Sequence, residues 1–413
     1  MERFLKDSQI ARKVAGYANR QAEKERLAAV VSGRGDTLHS RNSISSMHAI
    51  SAFLLSLANA DRDGRVLLSM AASTGPVAAD GTATTQAPAM VIKYQLLNPA
   101  RSFESVVAQA RSVILAGGTM EPVSDLLTQV FPHVEAERLA RLSCGHIIPD
   151  SNLMASVVSL GPRKTRLEFK FDNRNDANLL DDLGQLLVNF ANLIPDGVVV
   201  FFSSYKVLDI CQSRWRQTEI LTRLGKRKKI FAEPQSASEV DAVLTEYTEA
   251  IERPQQGRTG AVLFAVVGAK LSEGINFSDR LARAVLMVGL PFPNAASAEM
   301  VERMRFAKEL AAGQRKTGAS SGVSNVDAGQ ELYVNMCMKA VNQSIGRAIR
   351  HRNDYAALLL VDARFGRASI SRKLPAWIRG QVKSDCAFPT VMKDLGTFFK
   401  SKATSESTTT TKP

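Results

Sequence analysis

Three features of the 413-residue chain predict an α/β fold, a parallel sheet covered by helices on both faces. Short apolar runs rich in Val, Leu and Ala recur at 113–116, 198–202, 261–267, 284–288 and 357–361, with the bulk of strands buried on both sides. Segments of helical periodicity separate most of them, so the connections are crossovers and the strands lie parallel. Composition agrees: 45% hydrophobic and 23% charged residues suffice for one large core or two medium ones.

From Met1 to about Leu57 the chain is rich in charge and small residues, and Gln9–Ala29 reads as a helix with a basic, solvated face. This helical segment, 1–57, precedes the main domain, 58–400. Arg65–Met70 and Met90–Leu97 read as the strands of a hairpin whose long loop is rich in Ala, Thr and Gly. Beyond it, helical patterns cover Asn178–Leu193, Val207–Arg223, Ala237–Ile251 and Glu331–Arg350. Ala312–Gln330, full of Gly, Ser, Ala and Thr, reads as an exposed loop, and 401–413, with its Thr run, as a disordered tail.

A formal net charge of +13 favours an acidic partner, nucleic acid or an anionic surface. No run of about 18 apolar residues is present, so an intracellular protein without a membrane partner is expected. Cys144, Cys211, Cys337 and Cys386 lie far apart, without the paired spacing of a zinc or iron–sulfur site, and read as buried free thiols in a reducing compartment; no metal site is predicted.

In open parallel sheets ligands collect beyond the carboxyl ends of the strands. After 113–115 comes a Gly117-Gly118-Thr119 turn, after 198–202 the set Ser203, Ser204, Tyr205 and Lys206, and after 264–267 a stretch containing Gly268, Lys270, Ser272, Glu273, Gly274 and Asn276. Small donors, an aromatic and cations suit a nucleic-acid backbone, and the glycines let backbone amides approach phosphate. The segment Gln343-Ser344-Ile345-Gly346-Arg347-Ala348-Ile349-Arg350 carries the most information. At about 100° per residue, Gln343, Arg347 and Arg350 fall within roughly 60° on one helical face. Cys337, Val341, Ile345 and Ala348 form the opposite, apolar stripe. Such a helix suits a polyanion such as the terminal phosphates of a nucleotide; the alternative is a surface helix with solvated arginines.

The stretches V-V-G-A-K-L-S-E-G-I-N-F-S-D (266–279), V-G-L-P-F-P-N (288–294) and N-Q-S-I-G-R-A-I-R-H-R (342–352) resemble motifs V and VI of XPD-type superfamily 2 DEAH-box DNA helicases, the iron–sulfur family. A-G-G-T-M-E-P (116–122) is similar to motif III and V-V-F-F-S-S-Y (199–205) to motif IV. With C-G-H-I-I-P (144–149), R-K-K-I-F-A-E-P (227–234) and K-L-P-A-W-I-R (373–379), the whole looks like the ChlR, sister-chromatid-cohesion subgroup, from about Phe53 to Phe399.

The resemblance implies a RecA-like second motor domain of a 5′ to 3′ helicase, the C-terminal half of the enzyme. It implies Arg350 as arginine finger with Arg347 beside it, and Gln343 orienting nucleotide or water. Glu273, Gly274, Asn276 and Gly346 then serve the nucleotide site, although aspartate is usual in XPD where Asn276 stands. Lys270, Ser272, Ser203, Ser204 and Tyr205 track single-stranded or forked DNA, with Thr119 coupling the two activities. ATP and Mg2+ are shared with an N-terminal motor domain, whose G-x-x-x-x-G-K-[ST] and D-E-A-H motifs and cluster cysteines are not among these 413 residues. A P-loop and D-E-A-H upstream of Met1 would mark the chain as a fragment. Cohesion and replication partners and a nuclear location follow by family. Lys226–Lys229 reads as a phosphate or import site or a solvated helix end, and His351 as structural or solvated. The competing reading is a nucleic-acid-binding or regulatory module that hydrolyses nothing.

Overall fold

The computed structural model describes residues 16, 20, 46–58, 63–71, 89–132, 134–236, 238–255, 257–271, 277–316, 327–384 and 386–409. Most of the helix expected at Gln9–Ala29, the hairpin loop, much of the loop expected at Ala312–Gln330 and residues 410–413 lie outside them. So do Ser272, Glu273, Gly274 and Asn276.

The chain divides into two compact units, Met1–Ala110 and Arg111–Pro413. The division thus falls after the hairpin rather than near residue 57. In the first unit, α1 (Ser46–Ala58) precedes the antiparallel pair β1 (Gly64–Ala71) and β2 (Ala89–Leu96), and α2 (Pro99–Gln109) follows. Asn98 caps α2: its side chain accepts the Ala100 N–H, and Pro99 opens the first turn, where no N–H is needed.

The second unit is built on a seven-stranded, wholly parallel sheet. Helix α3 (Ser124–Val130) precedes β3 (Leu153–Val157); α4 (Ala177–Ala191) leads to β4 (Asp196–Phe202), and α5 (Tyr205–Gln217) and α6 (Ile220–Gly225) to β5 (Lys229–Ala232). Then α7 (Val240–Glu252) leads to β6 (Gly260–Val266), and β7 (Ala284–Val288) to α8 (Ala298–Lys316) and α9 (Ala328–Ile345). Last come β8 (Ala356–Val361), the single turns α10 (Ala368–Ser371) and α11 (Ala376–Arg379), the edge strand β9 (Val382–Lys383) and α12 (Phe388–Thr409). The strand order is β5-β6-β4-β7-β8-β3-β9.

Alternation along the strands makes two cores. Val198, Val200 and Phe202 of β4 face one layer, with α4, α5 and α12, where Trp215 and Phe190 are fully buried. Val199 and Phe201 face the other, with α7 and α9. Every residue of β3, β6, β7 and β8 is buried, as continuous apolar runs require in a doubly covered parallel sheet.

Several boundaries differ from the sequence reading. Residues 113–116 form no strand, and Ile114 is 86% exposed; the run has strand composition, but no described strand offers it a ladder. The long helix at 207–223 is two helices, broken at Glu219, whose φ of 56° no helix accommodates. The helix expected to reach Arg350 ends at Ile345. Helix α12 runs on to Thr409, past the boundary expected at 401, because Val391, Leu395 and Phe399 anchor its earlier turns in the core.

Candidate nucleotide edge and nucleic-acid edge

The arginine segment lies at the amino-terminal edge of the sheet, between α9 and β8. Cys337, Val341, Ile345 and Ala348 are buried as expected. Gly346 caps α9, and the chain then tightens: the Arg347 N–H donates to Ser344 O at 3.4 Å and the Ala348 N–H to Ile345 O at 3.2 Å. Only Gln343 is on the helix, so the single helical face predicted for Gln343, Arg347 and Arg350 does not exist; a turn presents the arginines instead. Gln343 and Arg350 are exposed, and Arg347 is half-buried.

Gly346 is required by contact rather than conformation. A Cβ there would lie 2.8 Å from Thr119 Cγ2 and 3.0 Å from Asn342 O. Thr119 therefore packs against the start of the arginine turn. The residues after it are fastened to α9: Asn342 Nδ2 donates to Glu121 O (3.0 Å) and Lys373 O (2.9 Å), and buried Asp125 accepts from Asn335 Nδ2 (2.6 Å) and Lys339 Nζ (2.9 Å).

The other end of the turn hangs on Asp354, 1% exposed. Its carboxylate accepts the Arg350 N–H (3.2 Å), the Tyr355 N–H (2.9 Å) and Arg283 Nη1 (3.1 Å), with the Asp279 N–H at 3.5 Å. Arg283 is buried, stacks over the Tyr355 ring at 3.8 Å and lies 4.0 Å from Asp196. Exposed His351 is bonded to Asp279 at 2.8 Å, so it pairs with a carboxylate instead of standing free. Asp279, His351 and Asp354 come close enough to suggest a cation site. The Asp354 oxygens are already committed to Arg283 and backbone amides, so the trio does not fit one.

Farther along this edge, the Lys226–Lys229 run divides. Lys228 is buried and donates to Asp196 O (2.7 Å) and Thr259 O (3.1 Å), and burial pushes its ammonium down to about 7. Lys226, Arg227 and Lys229 stay exposed.

Ser203, Ser204, Tyr205 and Lys270 gather at the opposite, carboxyl edge. Ser204 caps α5, accepting the Val207 N–H at 3.3 Å. Tyr205 is half-buried, its hydroxyl 3.4 Å from Pro234 O, and burial raises its pKa. Lys270 is exposed after Gly268, whose φ of 76° only glycine adopts without strain. Glu233 clamps this turn: its two oxygens accept the Val266 and Leu271 N–H groups, both at 2.8 Å, while burial raises its pKa. Thus the arginines and Thr119 are together, Ser203, Ser204, Tyr205 and Lys270 share the other edge, and the sheet separates the two groups.

Asp354, Arg283, Asn342, Asn335 and Glu233 were not foreseen. The available signal was their position, polar residues beside apolar runs or motif residues. Cys211 and Cys337 are buried on opposite faces of the sheet, with thiols pushed up to about 12, whereas Cys144 is exposed and Cys386 half-buried, against the buried thiols expected. No helix among the described residues is long and apolar enough to cross a membrane.

Residues 187–381 match the helicase C-terminal domain family. The chain is 40% identical over 403 residues to the ATP-dependent DNA helicase CHL1 of Scheffersomyces stipitis, covering 97% of this chain and 44% of that protein. It is 39% identical over 411 residues to the ATP-dependent DNA helicase DDX11 of Mus musculus, covering 97% and 42% respectively. The chain thus spans less than half the length of these relatives. A solved structure named XPD_Helicase aligns over 71% of this chain and 46% of that one, at 20% identity and a TM-score of 0.45. With its match to the helicase C-terminal domain family and its similarity over 97% of its own length to these relatives, the chain is related to the CHL1 and DDX11 helicases.

Proposed function

We propose that the chain is the second motor domain of an ATP-dependent 5′ to 3′ DNA helicase, completing from one edge of its sheet a nucleotide site held by another domain. The observation that carries this reading is the clamp at the amino-terminal edge: Thr119 against Gly346, and Asp354 on the Arg350 backbone. Arg350, exposed on a fixed turn, is the finger that neutralises charge on the transferred phosphoryl group, and Arg347 supports it. Gln343, one turn back on α9, orients nucleotide or water. Magnesium belongs with the partner domain, since these residues offer guanidiniums and no free carboxylate set. Glu273, Gly274 and Asn276 remain assigned to the nucleotide by resemblance.

Lys270, Ser203 and Ser204 line the DNA path on the opposite edge, with Ser272 assigned to it by resemblance alone, so closing the nucleotide site moves the DNA-bearing edge as one body with the sheet. Tyr205, half-buried, borders this path. The strand-like run at Val113–Leu115, with Ile114 open to solvent, supports a contact with another motor domain. Nuclear location and cohesion or replication partners follow from the relatives' kind alone.

The test is DNA-stimulated ATPase of the full chain, alone and mixed with a P-loop- and D-E-A-H-bearing N-terminal half. Turnover is expected only in the mixture, with Arg350→Ala lowering it by roughly three to five orders of magnitude. Robust turnover by the chain alone, or a mixture indifferent to Arg350→Ala, refutes the assignment.

A further inference from the structure

The loop after β3 leaves the carboxyl edge that also carries Ser203 and Lys270, and it holds an aromatic ring no motif assigns. Between Pro162 and Arg174 it has five cations against two carboxylates. Phe171 is 74% exposed, and the Arg174 guanidinium lies 3.8 Å over its ring centroid. One face of the ring is backed by a cation, and the ring stands open to solvent.

The loop is fixed to the sheet. The Phe169 N–H donates to Asp362 Oδ2 (2.9 Å), Arg364 Nη2 donates to Phe169 O (3.0 Å), and the Ala363 N–H donates to Leu167 O (2.7 Å). Successive turns then carry the chain past Phe171: the Asn173 N–H donates to Lys170 O and the Asp176 N–H to Asn173 O. Arg166, Lys170 and Arg367 all crowd on Glu168, at 3.5, 3.0 and 2.7 Å. One carboxylate does not neutralise three cations, and Arg163 and Lys164 are exposed beside them. Strand order places β3 four neighbours from β6, so this loop and Lys270 are separated by about 19 Å at ~4.8 Å per strand.

We propose that Phe171, backed by Arg174, is a stacking platform for an unpaired base of single-stranded DNA, with Arg163 and Lys164 taking the adjoining phosphates. A ring pinned under a guanidinium offers its free face to any base, which suits a motor that moves along DNA without reading sequence. The inference rests on the reading of the carboxyl edge as a DNA path, and it extends that path to the far side of the sheet.

The test is fluorescence anisotropy of the full 413-residue chain with a labelled oligo-dT strand and an abasic strand of the same length. Phe171→Ala is expected to weaken oligo-dT binding roughly 5- to 150-fold, the range for losing one stacked base, and to leave abasic binding unchanged. Phe171→Trp keeps the affinity, and its emission is quenched by oligo-dT. Arg163→Ala with Lys164→Ala weakens both strands. If the wild-type chain binds neither strand, the DNA-path reading falls and the platform with it. If it binds and Phe171→Ala matches it on oligo-dT, or loses equally on the abasic strand, only the platform falls.

Discussion

The two edges of the sheet differ in how their exposed cations are held. At the amino-terminal edge buried polar groups frame the exposed Arg350: Lys228 on two carbonyls, Arg283 between Asp354 and Tyr355, and Asn342 across to Glu121. At the carboxyl edge Lys270, Arg163 and Lys164 stand exposed, while buried Glu233 bonds backbone amides and the buried Asp362–Arg364 pair holds the β3 loop. A site that must place a guanidinium against a phosphoryl group gains from a rigid frame, because misplacement by about 1 Å costs two orders of magnitude. A surface that follows a moving polyanion gains from long, solvated side chains, which adapt at little cost. The comparison predicts that substitutions at the first edge act on stability and turnover, and those at the second on binding.

The largest effect is expected at Lys228. Its folded-state pKa, about 7, lies below the 10.5 of an exposed lysine, because burial disfavours the ammonium despite nearby Asp196. Between pH 7 and 10.5 the unfolded chain therefore binds more protons than the folded one, and stability rises with pH across that window. The rise is on the order of a few kcal/mol. Urea unfolding at stepped pH should show it in the wild type and not in Lys228→Met. An equal rise in both proteins would remove Lys228 as the buried cation of this edge.

Next is Asp354→Asn, which leaves Arg283 buried without its carboxylate. Breaking such a pair costs about 3 kcal/mol, while replacing both partners with apolar groups is far milder. Asp354→Asn should therefore lower the urea midpoint, and adding Arg283→Met should restore much of it. In the mixed-half ATPase, both variants lose turnover because one amide oxygen replaces the two carboxylate oxygens that accept the Arg350 and Tyr355 N–H groups, while DNA affinity holds. Intact turnover in the double variant would show that the arginine turn needs no such anchor.

How much of this was legible depended on periodicity. The strands at 198–202, 261–267, 284–288 and 357–361 emerge from apolar runs that no surface element would tolerate, and the structure finds them within two residues. Leu153–Val157 was missed because a Met, an Ala and a Ser dilute its run, although every one of its residues is buried. The arginine turn was misread for a physical reason. Helical periodicity continues through Ala348, and nothing in Gly346-Arg347 announces that α9 stops, since Gly346 itself keeps helical angles. What ends the helix is tertiary: Thr119 fills the space beside Gly346, and Asp354 draws the Arg350 amide toward β8. Resemblance located Thr119, but not its contact.

The smallest effects separate two residues of the carboxyl edge that the sequence treats alike. Ser204 spends its hydroxyl oxygen on the Val207 N–H, the N-cap of α5. Ser204→Ala should thus cost about 1 kcal/mol of stability, read as a shifted urea midpoint. Lys270 is an exposed cation on a short turn that Glu233 already holds, so Lys270→Ala should leave that midpoint within about 0.5 kcal/mol. Its effect is instead on DNA: with one phosphate contact gone, the salt dependence of single-strand binding should flatten by about 0.7 in log–log slope. A double dissociation is the expected pattern, stability lost at Ser204 and salt slope lost at Lys270. If Ser204→Ala instead flattens the slope and leaves the midpoint in place, its hydroxyl serves DNA, and the division between frame and track fails at the residue where it is finest.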